Sequence, residues 1–304
     1  MRKALVLLLF ALVAAGGSVA AMTLDEATAL FQNDSIAVSY DAAGKAQLED
    51  LILALRTALG VTDALNETNE DAVMDFSVDM SLKPVVNMLS QAYYTLANVF
   101  ISSDENEDYY LKGKHWGLKS LRMNPDFVTL ERDSFIKAVQ AETDVHALYW
   151  ATSNWLRVSQ KRVLQAIFAG VPAKTQAMSE RCLELDPGYI AGGSYRSLGA
   201  YYSGLPKGMG QDLDKSLEYF CHVVTEPACS VCGDCQPALA DADEYFENRT
   251  FIAEFYYMEK KMWSEAAQVL DSVLAEDVGD TYPLMNAYSH EHARELLEEV
   301  NEHL

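Results

Sequence analysis

Proline is scarce in this 304-residue chain, eight in all, and strict alternation of apolar and polar residues is nearly absent. The first lack leaves room for long helices, because proline removes a backbone donor and clashes within a helix interior. The second argues against a half-buried sheet. Basic residues are few as well: 23 Lys and Arg stand against 45 Asp and Glu, a net charge of −22. So acidic a surface argues against nucleic acid or an anionic membrane as partner. The chain has no H-E-x-x-H, no G-x-S-x-G and no glycine loop able to cradle a phosphate. Its histidines, at 115, 146, 222, 290, 292 and 303, are scattered, and His290 and His292 cannot share a helical face. No nucleophile–base arrangement presents itself, so the expectation is a non-enzyme with neither cofactor nor metal.

Long apolar runs are also missing, except at the start. Arg2 and Lys3 precede an apolar stretch from Ala4 to Ala15, and Val19-Ala20-Ala21 offers the small residues that a signal peptidase reads. The stretch is too short for a comfortable membrane span. Residues 1–21 therefore read as a cleavable signal peptide with no lipid-acceptor cysteine. The expected product is an exported, periplasmic chain of residues 22–304. Removal of that leader takes two basic and no acidic residues, which brings the net charge to −24.

What remains is helical in period, and residues 22–304 read as one helical-repeat domain. In its first part, 22–82, Leu24 to Gln32 reads as a short helix and Gln47 to Leu59 as an amphipathic one stopping at Gly60. Residues 61–81 read as an acidic loop with at most one helical turn. From Pro84 onward, within 83–304, the pattern is degenerate helix pairs. Asx-Pro or Glu-Pro dipeptides close helices at Asn124-Pro125, Asp186-Pro187 and Glu226-Pro227.

The pairs carry traces of the tetratricopeptide pattern, W-x2-L-G-x2-Y followed by A-x3-F-x2-A and a closing proline. One match is Tyr195-x2-Leu198-Gly199-x2-Tyr202, then Ser216-x3-Phe220-x2-Val223 and Pro227. Gly199 would let the two helices cross closely. A second is Ala266-x3-Leu270-x2-Val273. The expected fold class is thus all-α, a tetratricopeptide-like α-solenoid, with an irregular helical bundle as the alternative.

Four of the five cysteines fall close together as Cys221-x7-Cys229-x2-Cys232-x2-Cys235, while Cys182 stands apart. In an exported chain this cluster is expected to form structural disulfides. A zinc site and redox exchange are the alternatives. Haem is excluded because no C-x-x-C-H is present.

Three consecutive segments resemble a known family: DVHALYWATSNWLRVSQ (144–160), AMSERCLELDPGYIAGGSYRSLGAYYSGLP (177–206) and GQDLDKSLEYF (210–220). In order and spacing they resemble the T component of tripartite ATP-independent periplasmic (TRAP) transporters. That resemblance implies a non-catalytic periplasmic helical protein that associates with the transporter's substrate-binding protein. It also implies trimers, and a cleft or pore for a small organic ligand, an organic acid or a hydrophobic molecule. The cysteine cluster and the missing lipid-acceptor cysteine depart from the family pattern. A general protein–protein scaffold of the cell envelope is the alternative function.

Candidate contact residues follow from the same segments. Tyr149, Trp150, Asn154 and Trp155 lie on neighbouring faces of one helix and could line a cleft or fill the core. Tyr195 and Tyr202 are flat and can hydrogen-bond at a rim. Arg196 would either pair with a carboxylate or hold an anionic ligand group.

Overall fold

The structure is a computed structural model that describes residues 21–233, 239 and 241–304. Residues 1–20, nearly all of the expected signal peptide (1–21), and Cys235 lie outside the described residues. The chain is all-α. Its helices are α1 (Leu24–Thr28), α2 (Ala42–Ala58), α3 (Glu70–Asp75), α4 (Lys83–Val99), α5 (Glu107–Arg122), α6 (Pro125–Glu131), α7 (Phe135–Ala141) and α8 (Val145–Lys161). There follow α9 (Val163–Phe168), α10 (Val171–Leu185), α11 (Tyr189–Gly204), α12 (Leu213–Phe220), α13 (Glu247–Ile252), α14 (Trp263–Ala275) and α15 (Pro283–Asn301). α13 runs on into a π-helix, Ala253–Met258.

The first helix is shorter than its sequence suggests. It ends at Thr28, and a two-stranded hairpin follows, β1 (Phe31–Gln32) paired antiparallel with β2 (Ser35–Ile36). Asn33 and Asp34 turn the chain with φ of 50° and 58°. Their short polar side chains tolerate that left-handed region, and two such residues make the tight turn whose twist matches a hairpin. Local turn chemistry therefore outweighs the apolar period at 30–32.

The acidic stretch 61–81 holds α3, with Asn69 as its N-cap, and a short 3-10 turn at Met80–Leu82. Glu67 anchors it to the core. This carboxylate is 4% exposed and accepts from Tyr93 Oη at 2.9 Å and Trp116 Nε1 at 2.7 Å, with Arg56 Nε at 3.0 Å. Prolines act mainly at helix starts, where the missing N–H is an orphan in any case. Pro84, Pro125, Pro172 and Pro283 all sit in first turns. Pro125 thus opens α6, with Asn124 as its cap, in addition to following α5. After Glu226-Pro227 no α-helix follows at once among the described residues; the next is α13.

The long helices pack each on the next: α4 on α5, α5 on α8, α8 on α10, α10 on α11, α11 on α12, and α14 on α15. Close crossings are made by glycine. A Cβ on Gly117 of α5 would sit 2.7 Å from Ala151 Cα of α8, and one on Gly199 of α11 would sit 2.7 Å from the Phe220 ring. The buried apolar side chains form two clusters. One spans α1 to α10 with the starts of α11 and α15; the other gathers α12 to α14 with the later part of α15. Leu198, Phe220, Val223, Ala266, Leu270 and Val273, the core positions of the two repeat matches, are all fully buried.

A candidate ligand cleft over a buried ion pair

α8 begins at the Asp144 cap, whose carboxylate accepts from Ala147 N at 3.0 Å. Residues 147–154 are buried on every side, because α4, α5, α10 and α11 surround this half of the helix. Beyond Asn154 the helix emerges, and one of its faces borders a cleft. Arg162, at φ −139° and ψ 50°, breaks the chain into α9, which forms part of the rim. α10, α11, α13 and the π-helix complete the walls. The cleft is open to solvent on one side and has a cavity volume of about 120 Å³. Val163, Ile167, Val171, Leu205, Phe251 and Phe255 make its walls apolar. π-Helical turns often occur at functional sites, and this one carries Phe255.

The floor is polar and buried. Arg196, 3% exposed, lies 3.0 Å from Glu247 Oε2 through Nε. Its other nitrogens donate to Asn248 Oδ1 at 2.6 Å and Tyr149 Oη at 3.3 Å. The guanidinium also lies 4.5 Å from the centre of the Tyr245 ring. Burial opposes its charge, but Tyr149, Glu247 and Tyr245 outweigh that and hold the guanidinium above its ordinary pKa. Burial also pushes the Tyr149 hydroxyl up to about 12, so it remains a neutral donor and acceptor.

The ion pair is braced by strained backbone. α11 begins irregularly: Ile190, Ala191 and Gly192 are left-handed, with φ of 49°, 49° and 79°. For a β-branched residue this is an outlier worth about 1–3 kcal/mol of strain. Asn248 holds the turn by donating to Ala191 O at 3.0 Å and Ala242 O at 2.7 Å, while it accepts from Arg196. Beneath the floor is a second, much smaller cavity of about 10 Å³, bordered by Trp150, Ile190 and Tyr245. Tyr94, Tyr149, Arg196 and Glu247 line both spaces.

The candidate residues are distributed unevenly. Tyr149 and Arg196 line the cleft. Trp150 is core: its Nε1 donates to Tyr189 Oη at 3.1 Å, and its ring packs on Tyr94 and Tyr149. Asn154 is fully buried as a fastener between helices, donating to Ser90 O at 3.2 Å and Trp150 O at 2.8 Å. Trp155 faces away, edge-on to Phe135, with Lys114 and Lys174 over its ring. Tyr195 stacks on His222, and Tyr202 stacks on Tyr219 and accepts from Gln176 Nε2 at 3.0 Å.

Sequence reasoning passed over Arg157, Tyr94, Glu247, Phe251 and Phe255. A signal for the first existed, because Tyr149, Ser153, Arg157 and Gln160 recur at the spacing of one helical face. Arg157 makes one long hydrogen bond, 3.5 Å to Gln160 Oε1, and no ion pair among the described residues. Burial raises the Glu254 carboxyl to about 7 against the opposing field of Arg157. Burial, aided by Arg157, lowers His292 to about 4, so its 3.5 Å contact with Glu254 at neutral pH is made by an uncharged ring.

In the cysteine cluster, Cys221 is bonded to Cys232, with Cα atoms 5.9 Å apart, and Cys229 is also disulfide-bonded. Oxidation of Cys221 and Cys232 removes two of the thiolates that a zinc site there would require. Cys182 is a buried free thiol, pushed up to about 12 by burial. The loop docks through Tyr257 Oη, which donates to Ala228 O at 2.9 Å. Closing a loop of this length is worth about 3 kcal/mol in chain entropy. Peptide mapping without reduction should join the Cys221 and Cys232 peptides, and Cys221→Ser should lower stability in urea by about that amount.

The chain is thus mostly helical, with an open cleft of largely apolar walls over a buried ionic floor. The family model of the TRAP transporter T-component matches residues 83–303. The chain belongs to that family and is thereby an accessory component of a TRAP transporter. A search among curated proteins found no match. Among the described residues, no helix is long and apolar enough to cross a membrane.

Proposed function

We propose that this chain is a non-catalytic periplasmic component that docks on the transporter's substrate-binding protein and holds a small organic ligand in the cleft over Arg196 and Glu247. The observation that carries this reading is the cleft itself: apolar walls, a few convergent polar groups and strained backbone beneath, the usual makeup of a ligand site. Family membership supports the transporter's binding protein as partner. The leader-like N-terminus and the Cys221–Cys232 disulfide support an oxidising compartment. The stacking of each long helix on the next supports a degenerate tetratricopeptide-like solenoid over 83–304. A homotrimer is the assembly that the family suggests.

Docking would use α9. Its Leu164 and Phe168 point outward, 63% and 87% exposed, beside the cleft mouth. Exposed apolar side chains grouped next to a cavity are common at protein contacts. The test is a pull-down of residues 22–304 from periplasmic extract after crosslinking, read by mass spectrometry. The expected result is recovery of a TRAP substrate-binding protein, reduced several-fold by Phe168→Ser. Recovery of unrelated envelope proteins, or of no partner, would overturn the docking.

A further inference from the structure

α9 is built unlike the other helices beside the cleft. Five of its six residues, Val163, Leu164, Ala166, Ile167 and Phe168, are apolar, yet none of them belongs to either buried apolar cluster. Val163, Ala166 and Ile167 line the cleft, while Leu164 and Phe168 stand in water. Gln165, its one polar residue, is exposed and makes no hydrogen bond among the described residues. The helix packs mainly on α8 and α10, the two it is joined to.

Both joints leave room to turn. Arg162 is non-helical and supplies no side-chain cap. Gly170 is left-handed, at φ 67°, and a Cβ there would meet nothing within 4 Å. Glycine crosses between backbone regions at little steric cost. The chain on either side is held. Lys161 Nζ donates to Ser103 O, and Arg162 pairs with Glu107. Pro172 fixes the backbone in the first turn of α10. Movement is thereby confined to residues 162–170.

We infer that α9 is a hinged flap that closes over the mouth of the cleft by rolling Leu164 and Phe168 onto it. The inference rests on the cleft being the ligand site proposed above. Each of these side chains follows a cleft-lining residue, Val163 or Ile167, and so stands about 100° round the helix axis from it. A roll of that size, taken up at the two joints, exchanges water for the apolar walls that include Leu205, Phe251 and Phe255. Hinges of this kind are a few residues at element ends that absorb the backbone change. Closure would shut a bound ligand away from solvent.

The test is double electron–electron resonance on residues 22–304 with nitroxide labels at Gln165→Cys and Asp50→Cys, both exposed sites. The native chain treated with the same reagent sets the background from its own cysteines. Asp50→Cys with Asp214→Cys, on α2 and α12, is the rigid reference pair. The 165 pair should give two distances, up to about 8 Å apart, the chord of such a roll at the side-chain radius of a helix. The reference pair should give one. Adding Leu164→Ser and Phe168→Ser should leave the 165 pair only the open distance, because the apolar gain of closing is gone. A single distance in the native background, or two that persist unchanged with both serines, would overturn the flap. A single distance would leave the docking standing, since docking needs only the exposed position. Two distances together with a failed pull-down would remove the docking and keep the flap.

Discussion

Arg196→Ala should lose about 3–5 kcal/mol of folding stability, measured by urea denaturation followed by helical circular dichroism. That is the usual cost of removing one partner of a buried ion pair. Glu247 is 4% exposed and would be left with its charge in a low-dielectric floor. Its Oε1 already has no hydrogen-bond partner, so the carboxylate has no second donor to turn to. Asn248 would lose the 2.6 Å donor that helps orient it. Asn248 also pins Ala191 O, so the left-handed turn at Ile190 and Ala191 would loosen with it. The double variant Arg196→Met with Glu247→Leu should recover most of the loss, because replacing both charges removes the desolvation cost along with the attraction. A single-variant loss under about 1 kcal/mol would show instead that the pair behaves like a solvated surface bridge.

Gly117→Val should cost about 3 kcal/mol, the upper part of the usual range for overpacking. The clash is at Cβ: a carbon there meets Ala151 Cα at 2.7 Å and Ala151 N at 2.9 Å. No rotamer moves a Cβ, and the opposing atoms are mainly backbone, so α5 and α8 must separate. Among the described residues these two helices make the most extensive contact, and α8 carries Tyr149 and Arg157 to the cleft. The variant should therefore also weaken any cleft ligand. Gly204→Ala is the control. A Cβ on Gly204 meets nothing within 4 Å, and its φ is not left-handed. It should keep or gain a few tenths of a kcal/mol through helix propensity. Equal effects at the two positions would mean that the α5–α8 crossing can open without cost.

The helical class was legible because it is repeated along the whole chain. α4 begins where Pro84 suggests, and α2 ends before Gly60, which has φ 75°. Gly199 faces the Phe220 ring, as the motif implied. The misreading at Leu24 to Gln32 came from a hairpin of two residues per strand, too short to show a period of its own. The contact residues were harder to read. Trp150 and Asn154 stand on the same helix as Tyr149, yet they face neighbouring helices and fill the core. Aromatic residues suit a core and a binding wall equally well, so composition could not separate them.

By itself, the sequence determined the helical class, the family resemblance and the acidic surface, because these depend on patterns repeated along the chain. It also held the Tyr149-Ser153-Arg157 face, since three or four residues along a helix set a direction whatever surrounds it. Only the tertiary structure decided that this face borders a cavity and that Arg196 is spent on Glu247. Arg196 and Glu247 lie far apart in the chain. Whether a cation finds a carboxylate across that distance depends on which helix faces close against each other, and no local pattern records it.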